Sequence, residues 1–277
     1  MAINSEWKDR WVCIGGGTAG LGFVLAQQFA RRGANVAIVG RNKLRAEAAA
    51  DELRELGTGQ ILSFSVDLTD EHAIKTSQWK AWVEKTDLSV AIAGTGKSDR
   101  GFLTQLSAGD LDDILKVNLY TAFHFSKATQ NALQRGAGTL VHIASLAGIV
   151  AKPGMGGYCV AKHAVVALSR QLRLELASQG VYVLLVCPGP IQRDEAHMGG
   201  RYDDLVNERK LPESLKMPAG GANLKAIDST EFSAKIIRAI ESRRKELVLP
   251  SKVRWLAGLG AIWPSLLDSV LKMRTPP

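Results

Sequence analysis

The chain has 277 residues, 46% of them hydrophobic and 22% charged. That composition supplies one large α/β core and excludes a disordered chain. The formal net charge of +8 suits an anionic cofactor, a nucleic acid or an anionic membrane surface, yet the basic residues are dispersed, and the densest run, Arg238 to Lys245, contains Glu241 and reads as a solvated helix end.

In chain order, the first two-thirds alternates short apolar runs with helical periodicity. Residues 11–14 form a first strand that runs into glycines. Residues 20–32 carry Leu21, Val24, Leu25 and Phe29 at helical spacing, and Gly33 closes that helix. Further strands are expected at 35–39, 61–66, 88–93, 139–144 and 181–186, and helices at 43–56, 71–85, 110–135 and 158–178. The strands are nearly uniform apolar runs, as in a parallel sheet buried on both faces. Alternation of this period requires right-handed crossovers, and so an α/β fold: a doubly wound parallel sheet with helices on both faces.

The pattern breaks over 192–228, a polar stretch holding Gly199, Gly200, Pro212, Pro218, Gly220 and Gly221. It follows the carboxyl end of a strand, where open α/β sheets bind ligands, and reads as a substrate lid. A helix at 230–242 and a strand at 246–249 complete a domain over 1–250. An apolar tail, 251–277, follows. Residues 255–267 of the tail carry no charge, include Trp255 and Trp263, and are split by Pro264. Two readings of the tail stay open: a peripheral membrane contact through 251–273, or packing on the core or a partner subunit.

Between the first strand and the first helix lies Gly15-Gly16-Gly17-Thr18-Ala19-Gly20-Leu21-Gly22. Glycines there let the backbone turn tightly and approach a pyrophosphate, which the helix amino terminus then meets with free N–H groups and a positive dipole end. Dinucleotide folds selective for NAD usually end the second strand with an acid for the ribose 2′-hydroxyl. Here Gly40 is followed by Arg41, whose guanidinium can grip a 2′-phosphate, so NADP(H) is expected. Asp67 suits an acceptor for the adenine amino group; capping the next helix is its alternative role.

Tyr158 and Lys162 stand one turn apart at the start of an expected helix and share a face. A nearby ammonium stabilises phenolate and brings a phenol of pKa about 10 toward neutral proton transfer. Ser145 lies at the same sheet edge, where its hydroxyl can polarise a substrate oxygen. Asn118 sits inside the long helix over 110–135, a poor place for asparagine, which points to a tertiary role.

In order and spacing, these residues resemble the short-chain dehydrogenase/reductase family over roughly residues 8–192. The resemblance implies a single-domain Rossmann-like fold and an NADP(H)-dependent enzyme that moves a hydride between nicotinamide and a carbonyl or secondary alcohol carbon. It implies that Tyr158 is the acid/base, that Ser145 stabilises the oxyanion, that Lys162 holds the nicotinamide ribose and tunes Tyr158, and that Asn118 holds a relay water. Gly16, Gly20 and Gly22 match the family's glycine pattern. Thr18, Leu21, Leu68, Ala93 and Gly94 are read as cofactor contacts beside it, Tyr158 and Lys162 as cofactor contacts as well as catalytic groups, and Pro188, Gly189 and Ile191 match the nicotinamide-side loop. A homodimer or homotetramer is also implied. There are three departures. Gly15 replaces a threonine, Ala91 and Ile92 replace a pair of asparagines, and Arg193 replaces a threonine that contacts the carboxamide. No catalytic group is lost, so an active enzyme is expected; a cofactor-binding sensor without turnover is the competing reading.

Leu146, Met155 and Pro190, with Ile149 and Val150, are expected to frame a pocket for a hydrophobic ketone or alcohol; their alternative role is packing against the lid. His72, His124, His142, His163 and His197 lack converging ligand spacing, so no metal is expected. Without an aromatic-basic patch, no nucleic-acid partner is expected. Cys13, Cys159 and Cys187 are odd in number and set in apolar surroundings, which fits reduced thiols. The first residues lack the apolar core of a signal peptide, so a cytoplasmic protein is expected.

Overall fold

The computed structural model describes residues 7–57, 59–192, 201–216 and 225–273. Among these, β1 (Trp11–Gly15), β2 (Asn35–Gly40), β3 (Ile61–Ser65), β4 (Leu88–Ala93), β5 (Thr139–Ile143), β6 (Tyr182–Pro188) and β7 (Glu246–Leu249) form one sheet in the order β3-β2-β1-β4-β5-β6-β7. Every pairing is parallel. The helices are α1 (Gly20–Ala30), α2 (Lys43–Arg54), α3 (Glu71–Lys75), α4 (Gln78–Lys85), α5 (Ala108–Leu115), α6 (Thr121–Arg135), α7 (Tyr158–Glu175), α8 (Arg201–Glu208), α9 (Ser229–Glu241), α10 (Lys252–Ile262) and α11 (Pro264–Met273).

The two faces of the sheet are built differently. On one, Val12, Ile14, Val36, Ile38, Val90, Ile92 and Val141 meet Leu25 and Phe29 of α1, Leu53 of α2 and Phe232 and Ile236 of α9. On the other, the strands offer small residues, Cys13, Ala37, Ala91 and Ala93, opposite Trp79 of α4 and Phe125 of α6. Those two rings stack 5.5 Å apart and fill the space the small residues leave. The result is one doubly wound, Rossmann-like α/β domain. Cys13, Cys159 and Cys187 are buried free thiols, and burial pushes Cys13 and Cys187 up to about 12.

Chain order reverses between β1 and β4. The loops leaving their carboxyl ends diverge there and open the crevice in which such sheets bind ligands. The backbone stitches the crevice floor together, since Gly94 N–H donates to Gly15 O at 2.9 Å.

Some expected elements differ. The helix expected at 71–85 is two helices, because Ser77 caps α4 by accepting from Lys80 N–H at 3.1 Å. The helix expected at 110–135 begins earlier, at a capping box between Ser107 and Asp110. It is interrupted by a π-helical turn, Lys116–Tyr120, that contains Asn118. The aperiodic stretch 192–228 contains α8 and a 3-10 turn, Glu213–Lys216, around a small cluster of Val206, Leu211 and Leu215. Arg193, His197, Gly199, Gly200, Pro218, Gly220 and Gly221 lie outside the described residues. The tail forms α10 and α11, which fold onto each other where Gly260 faces Leu267. Val253 packs on the core, whereas Trp255, Leu259, Ile262 and Trp263 are exposed.

Candidate active site

The glycine loop lies at the amino end of α1. Gly16 has φ +79°, and a Cβ there would stand 2.9 Å from Thr95 N. A Cβ at Gly22 would stand 2.2 Å from Gly16 O, so this turn and the first turn of α1 touch backbone to backbone. The residue before α1, Ala19, offers no side-chain cap, and the first turn holds no acid. No side-chain cap claims the amide groups there, and free amides at a helix start are the donor set a pyrophosphate requires.

Gly15 is a packing exchange: a Cβ at this position would lie 3.0 Å from the Phe125 ring and 3.2 Å from Leu68. The Phe125 and Leu68 side chains occupy the space a threonine would take. Thr18 closes against the end of β2, with its Cγ2 2.7 Å from where a Gly40 Cβ would be. Arg41 follows directly and is exposed, its carbonyl held by Ser65 Oγ at 3.0 Å. Asn42 caps α2, whose first turn holds Lys43 and Arg45 and no acid. Asp67 Oδ1 accepts from Thr69 N and Thr69 Oγ1 at 2.9 and 2.7 Å. The cap of α3 is Asp70 rather than Asp67, since Asp70 Oδ1 accepts from His72 and Ala73 N–H. Leu21 is half-buried, and Leu68 and Ala93 are buried at the crevice floor with Gly94.

At the carboxyl end of β5, Ser145 is half-buried and extended, and its Oγ accepts from Ala147 N–H at 3.1 Å. With an acceptor site so used, the hydroxyl proton is left to donate. Tyr158 is the first residue of α7 and half-buried. Lys162, one turn on, is buried, and its Nζ donates to Ile143 O at 3.0 Å and lies 5.7 Å from the centre of the Tyr158 ring. Burial pulls Lys162 down to about 8.

Asn118 is fully buried. Its Nδ2 donates to Ile114 O at 3.0 Å and Lys97 O at 2.9 Å, and its Oδ1 accepts from Lys97 N–H at 3.3 Å. The π turn that carries it is a form concentrated at functional sites. Gly96 joins it to Lys162: a Cβ on Gly96 would stand 2.9 Å from Asn118 Oδ1 and 3.1 Å from Lys162 Nζ. The two polar atoms thus lie within about 6 Å of each other, a gap that bridging water can span.

Pro188 and Gly189 leave β6 pinned by Gly189 N–H to Leu249 O at 2.7 Å. Pro190 O accepts from Ile227 N–H, and Ile191 bridges to Ile227, so the segment before α9 holds this loop. Leu146 is buried beside Gly189, and Met155 is buried against Gly101. Of the three expected pocket residues, Leu146 and Met155 are therefore packed inside, and Pro190 is half-buried. Next to Ile143, His142 is fully buried. Its Nε2 meets Ser126 Oγ at 2.8 Å, that hydroxyl donates to Ala122 O, and its Nδ1 has no partner. Burial first, and then the Lys162 charge, lowers His142 to about 4.

Sequence reasoning missed Gly96, Asp99, Arg100 and Arg209. Lys97 to Arg100 reads as a polar surface loop, yet Asp99 and Arg100 are buried, and Arg209 Nη1 pairs with Asp99 Oδ1 at 2.8 Å from a segment far along the chain. No local signal marks them.

A family model for short chain dehydrogenases matches residues 10–199. The chain is a member of the short-chain dehydrogenase family. It is 28% identical over 214 residues to a 3-oxoacyl-acyl-carrier-protein reductase of Haemophilus influenzae, covering 77% of this chain and 84% of that one. Two proteins of Xanthobacter autotrophicus are also similar. A 2-(S)-hydroxypropyl-CoM dehydrogenase is 33% identical, over 68% of this chain and 74% of its own. A second, named an inactive form of that enzyme, is 34% identical, over 71% and 84%. A short-chain dehydrogenase of Sphingobium yanoikuyae, solved with NADPH, shares the fold at TM-score 0.71 and 22% identity, covering 94% of this chain and 96% of that one. As a short-chain dehydrogenase, the chain is an oxidoreductase of CH–OH and C=O groups.

Proposed function

We propose that this short-chain dehydrogenase is an NADP(H)-dependent reductase or dehydrogenase acting on a hydrophobic ketone or secondary alcohol. The observation that carries the reading is the placement of buried Lys162, with Nζ on Ile143 O, between Tyr158 and Asn118 at the mouth of the glycine-loop crevice. Gly16, Gly20 and Gly22 with Thr18 and Leu21 would hold the pyrophosphate side, Asp67, Leu68, Ala93 and Gly94 the adenine side and crevice floor, and Pro188, Gly189 and Ile191 the nicotinamide side. Arg41, exposed beside Thr18 and Gly40, would take the 2′-phosphate. When bound, NADPH supplies the hydride to the carbonyl carbon.

The remaining steps belong to side chains. Ser145 Oγ–H donates to the carbonyl oxygen and polarises it. Tyr158 Oη–H gives that oxygen its proton as negative charge develops. The Lys162 ammonium stabilises the phenolate left behind, and water between Asn118 Oδ1 and Lys162 Nζ returns a proton from solvent. The apolar wall of Leu146, Met155 and Pro190 favours a hydrophobic substrate, with 192–228 as its lid.

NADPH oxidation with a panel of hydrophobic ketones tests this. Tyr158→Phe should lose turnover by about 10³-fold while binding NADPH as the wild type does. Turnover retained in that variant would overturn the assignment. Family likeness reaches an inactive protein, so a cofactor-binding sensor is the competing reading. NADPH binding with no turnover on any carbonyl would favour it.

We also infer a cytoplasmic homodimer or homotetramer, with the tail either an interfacial contact for an anionic membrane surface or a packing surface for the core or a partner subunit. On α10, Lys252, Trp255, Leu259 and Ile262 line one exposed stripe, while Val253, Leu256, Ala257 and Gly260 form a second, more covered one. No acid occurs between Glu246 and Asp268. Among the described residues no helix is long and apolar enough to cross a membrane, so the contact would be interfacial.

A further inference from the structure

We propose that Asp99 and Arg209 are positioning residues for the reaction: they form a buried latch that fixes the start of the Tyr158 helix and makes its position depend on the segment carrying α8. The inference rests on the catalytic reading of Tyr158.

α7 begins without a cap of its own. Its N-cap residue is Gly157, which has no side chain to offer. The acceptor comes from 58 residues away, as Asp99 Oδ2 receives Gly157 N–H at 3.1 Å. A carboxylate at this helix end also meets the positive end of the dipole. Gly156 makes the approach feasible: its φ is +54°, and a Cβ there would stand 2.1 Å from Asp99 Oδ2. No other residue fits between the carboxylate and the chain it holds.

Asp99 is 3% exposed as a side chain, so its charge needs a partner. Arg209, just beyond α8, supplies one at 2.8 Å through Nη1, which also donates to Arg100 O, and its Nη2 reaches Asp110 Oδ1 at 3.4 Å. Arg100, equally buried, donates through Nε to Leu215 O at 2.8 Å and through Nη1 to Asp99 O at 2.7 Å. A bridge between Gly101 and Met155 joins the same two loops, with Gly101 N–H to Gly154 O and Gly156 N–H to Gly101 O. Leu215 covers Gly154, where a Cβ would lie 2.5 Å from it.

Three separate segments therefore meet at one carboxylate: the loop after β4, the loop that leads into α7, and residues 209–215. The residue next to the bonded amide is Tyr158. When residues 209–215 are seated, Asp99 is neutralised and aimed at Gly157. When they lift, the Asp99 carboxylate loses its Arg209 partner, and the group that accepts from Gly157 N–H is no longer fixed from that side. Residues 209–215 and the phenol that protonates the substrate are thereby set by the same ion pair. The glycine loop takes no part, so the pyrophosphate side of the cofactor site is not coupled to it.

Arg209→Met, Arg209→Lys and Asp99→Asn separate these roles. Arg209→Met should lower kcat/KM for the ketone by about 10²-fold, with NADPH affinity within twofold of wild type. Arg209→Lys, still able to reach Asp99, should recover at least tenfold of that loss. Asp99→Asn keeps an oxygen for Gly157 N–H but loses the pair, and should show the KM defect more than the kcat defect. Hydrogen exchange at Gly157 and Tyr158 gives a readout that needs no turnover: protection there should fall at least tenfold in Arg209→Met, while α1 is unaffected. Unchanged exchange at Gly157 in Arg209→Met overturns the latch whatever the activity. A loss of NADPH binding equal to the loss of kcat/KM, unrescued by Lys, also overturns it and reduces the pair to general stability. If the wild type turns over no carbonyl at all, the catalytic reading fails, and the exchange result still decides whether the latch exists.

Discussion

Gly96→Ala tests whether Asn118 and Lys162 form a working pair. The new methyl would stand 2.9 Å from Asn118 Oδ1 and 3.1 Å from Lys162 Nζ, where ordinary contact begins near 3.4 Å. Each polar atom must therefore retreat by a few tenths of an ångström. Neither does so freely, because Asn118 is held by three hydrogen bonds and Lys162 by Ile143 O. The methyl also takes the volume in which a bridging water would sit. Gly96 is exposed and its φ is not in the left-handed region, so the backbone accepts alanine and the stability change should stay within about 1 kcal/mol. Displacement of this size at a reacting centre costs about 10²-fold in rate. We expect kcat for ketone reduction to fall by about that factor, with the melting temperature within a few degrees of wild type and NADPH binding little changed. A stable Gly96→Ala enzyme with kcat within threefold of wild type would show that nothing between Asn118 and Lys162 limits the reaction.

Arg41→Asp should weaken NADPH binding by roughly 10²-fold and leave NADH binding nearly unchanged, since a charge-assisted contact to phosphate is replaced by repulsion; equal effects on both cofactors in a fluorescence titration exclude a phosphate role. His142 is held at about 4 in the folded chain against 6.5 in the reference state, so the unfolded chain binds more protons between those values. Stability is then lost as pH falls from about 6.5 to about 4. His142→Phe should remove about 2 kcal/mol of the difference in urea-unfolding free energy between pH 7 and pH 5. An identical pH dependence in the two proteins refutes that account. Trp255→Glu should abolish flotation with vesicles containing anionic lipid while leaving turnover of a water-soluble ketone intact. Flotation unaffected by the change, or a loss of subunit association instead, would assign the exposed stripe of α10 to something other than lipid.

The strands were legible because burial on both faces leaves near-uniform apolar runs, and β4 and β7 match the expected bounds residue for residue. Tyr158 and Lys162 were legible because one helical turn brings them together whatever the rest of the chain does. Asn118 was legible only as an anomaly: a poor helix former inside a helical pattern, which the structure resolves as a π turn. The break at Thr76 and Ser77 carried a usable signal in the capping serine, overridden by the apolar period on either side. Gly15 looked like a defect, and only packing shows Phe125 and Leu68 in its place.

Local sequence, then, determined the element order, the parallel sheet, the glycine loop and the Tyr158/Lys162 pair, because each depends on periodicity or on spacing within a few residues. Tertiary structure alone decided which groups surround that pair. Gly96 meets Asn118 and Lys162 across two loop–helix junctions, and Asp99 meets Gly157 and Arg209 across 58 and 110 residues of chain. Contacts of that kind leave no period behind them. A buried carboxylate is written in the sequence like any surface aspartate until the chain that neutralises it has folded back over it.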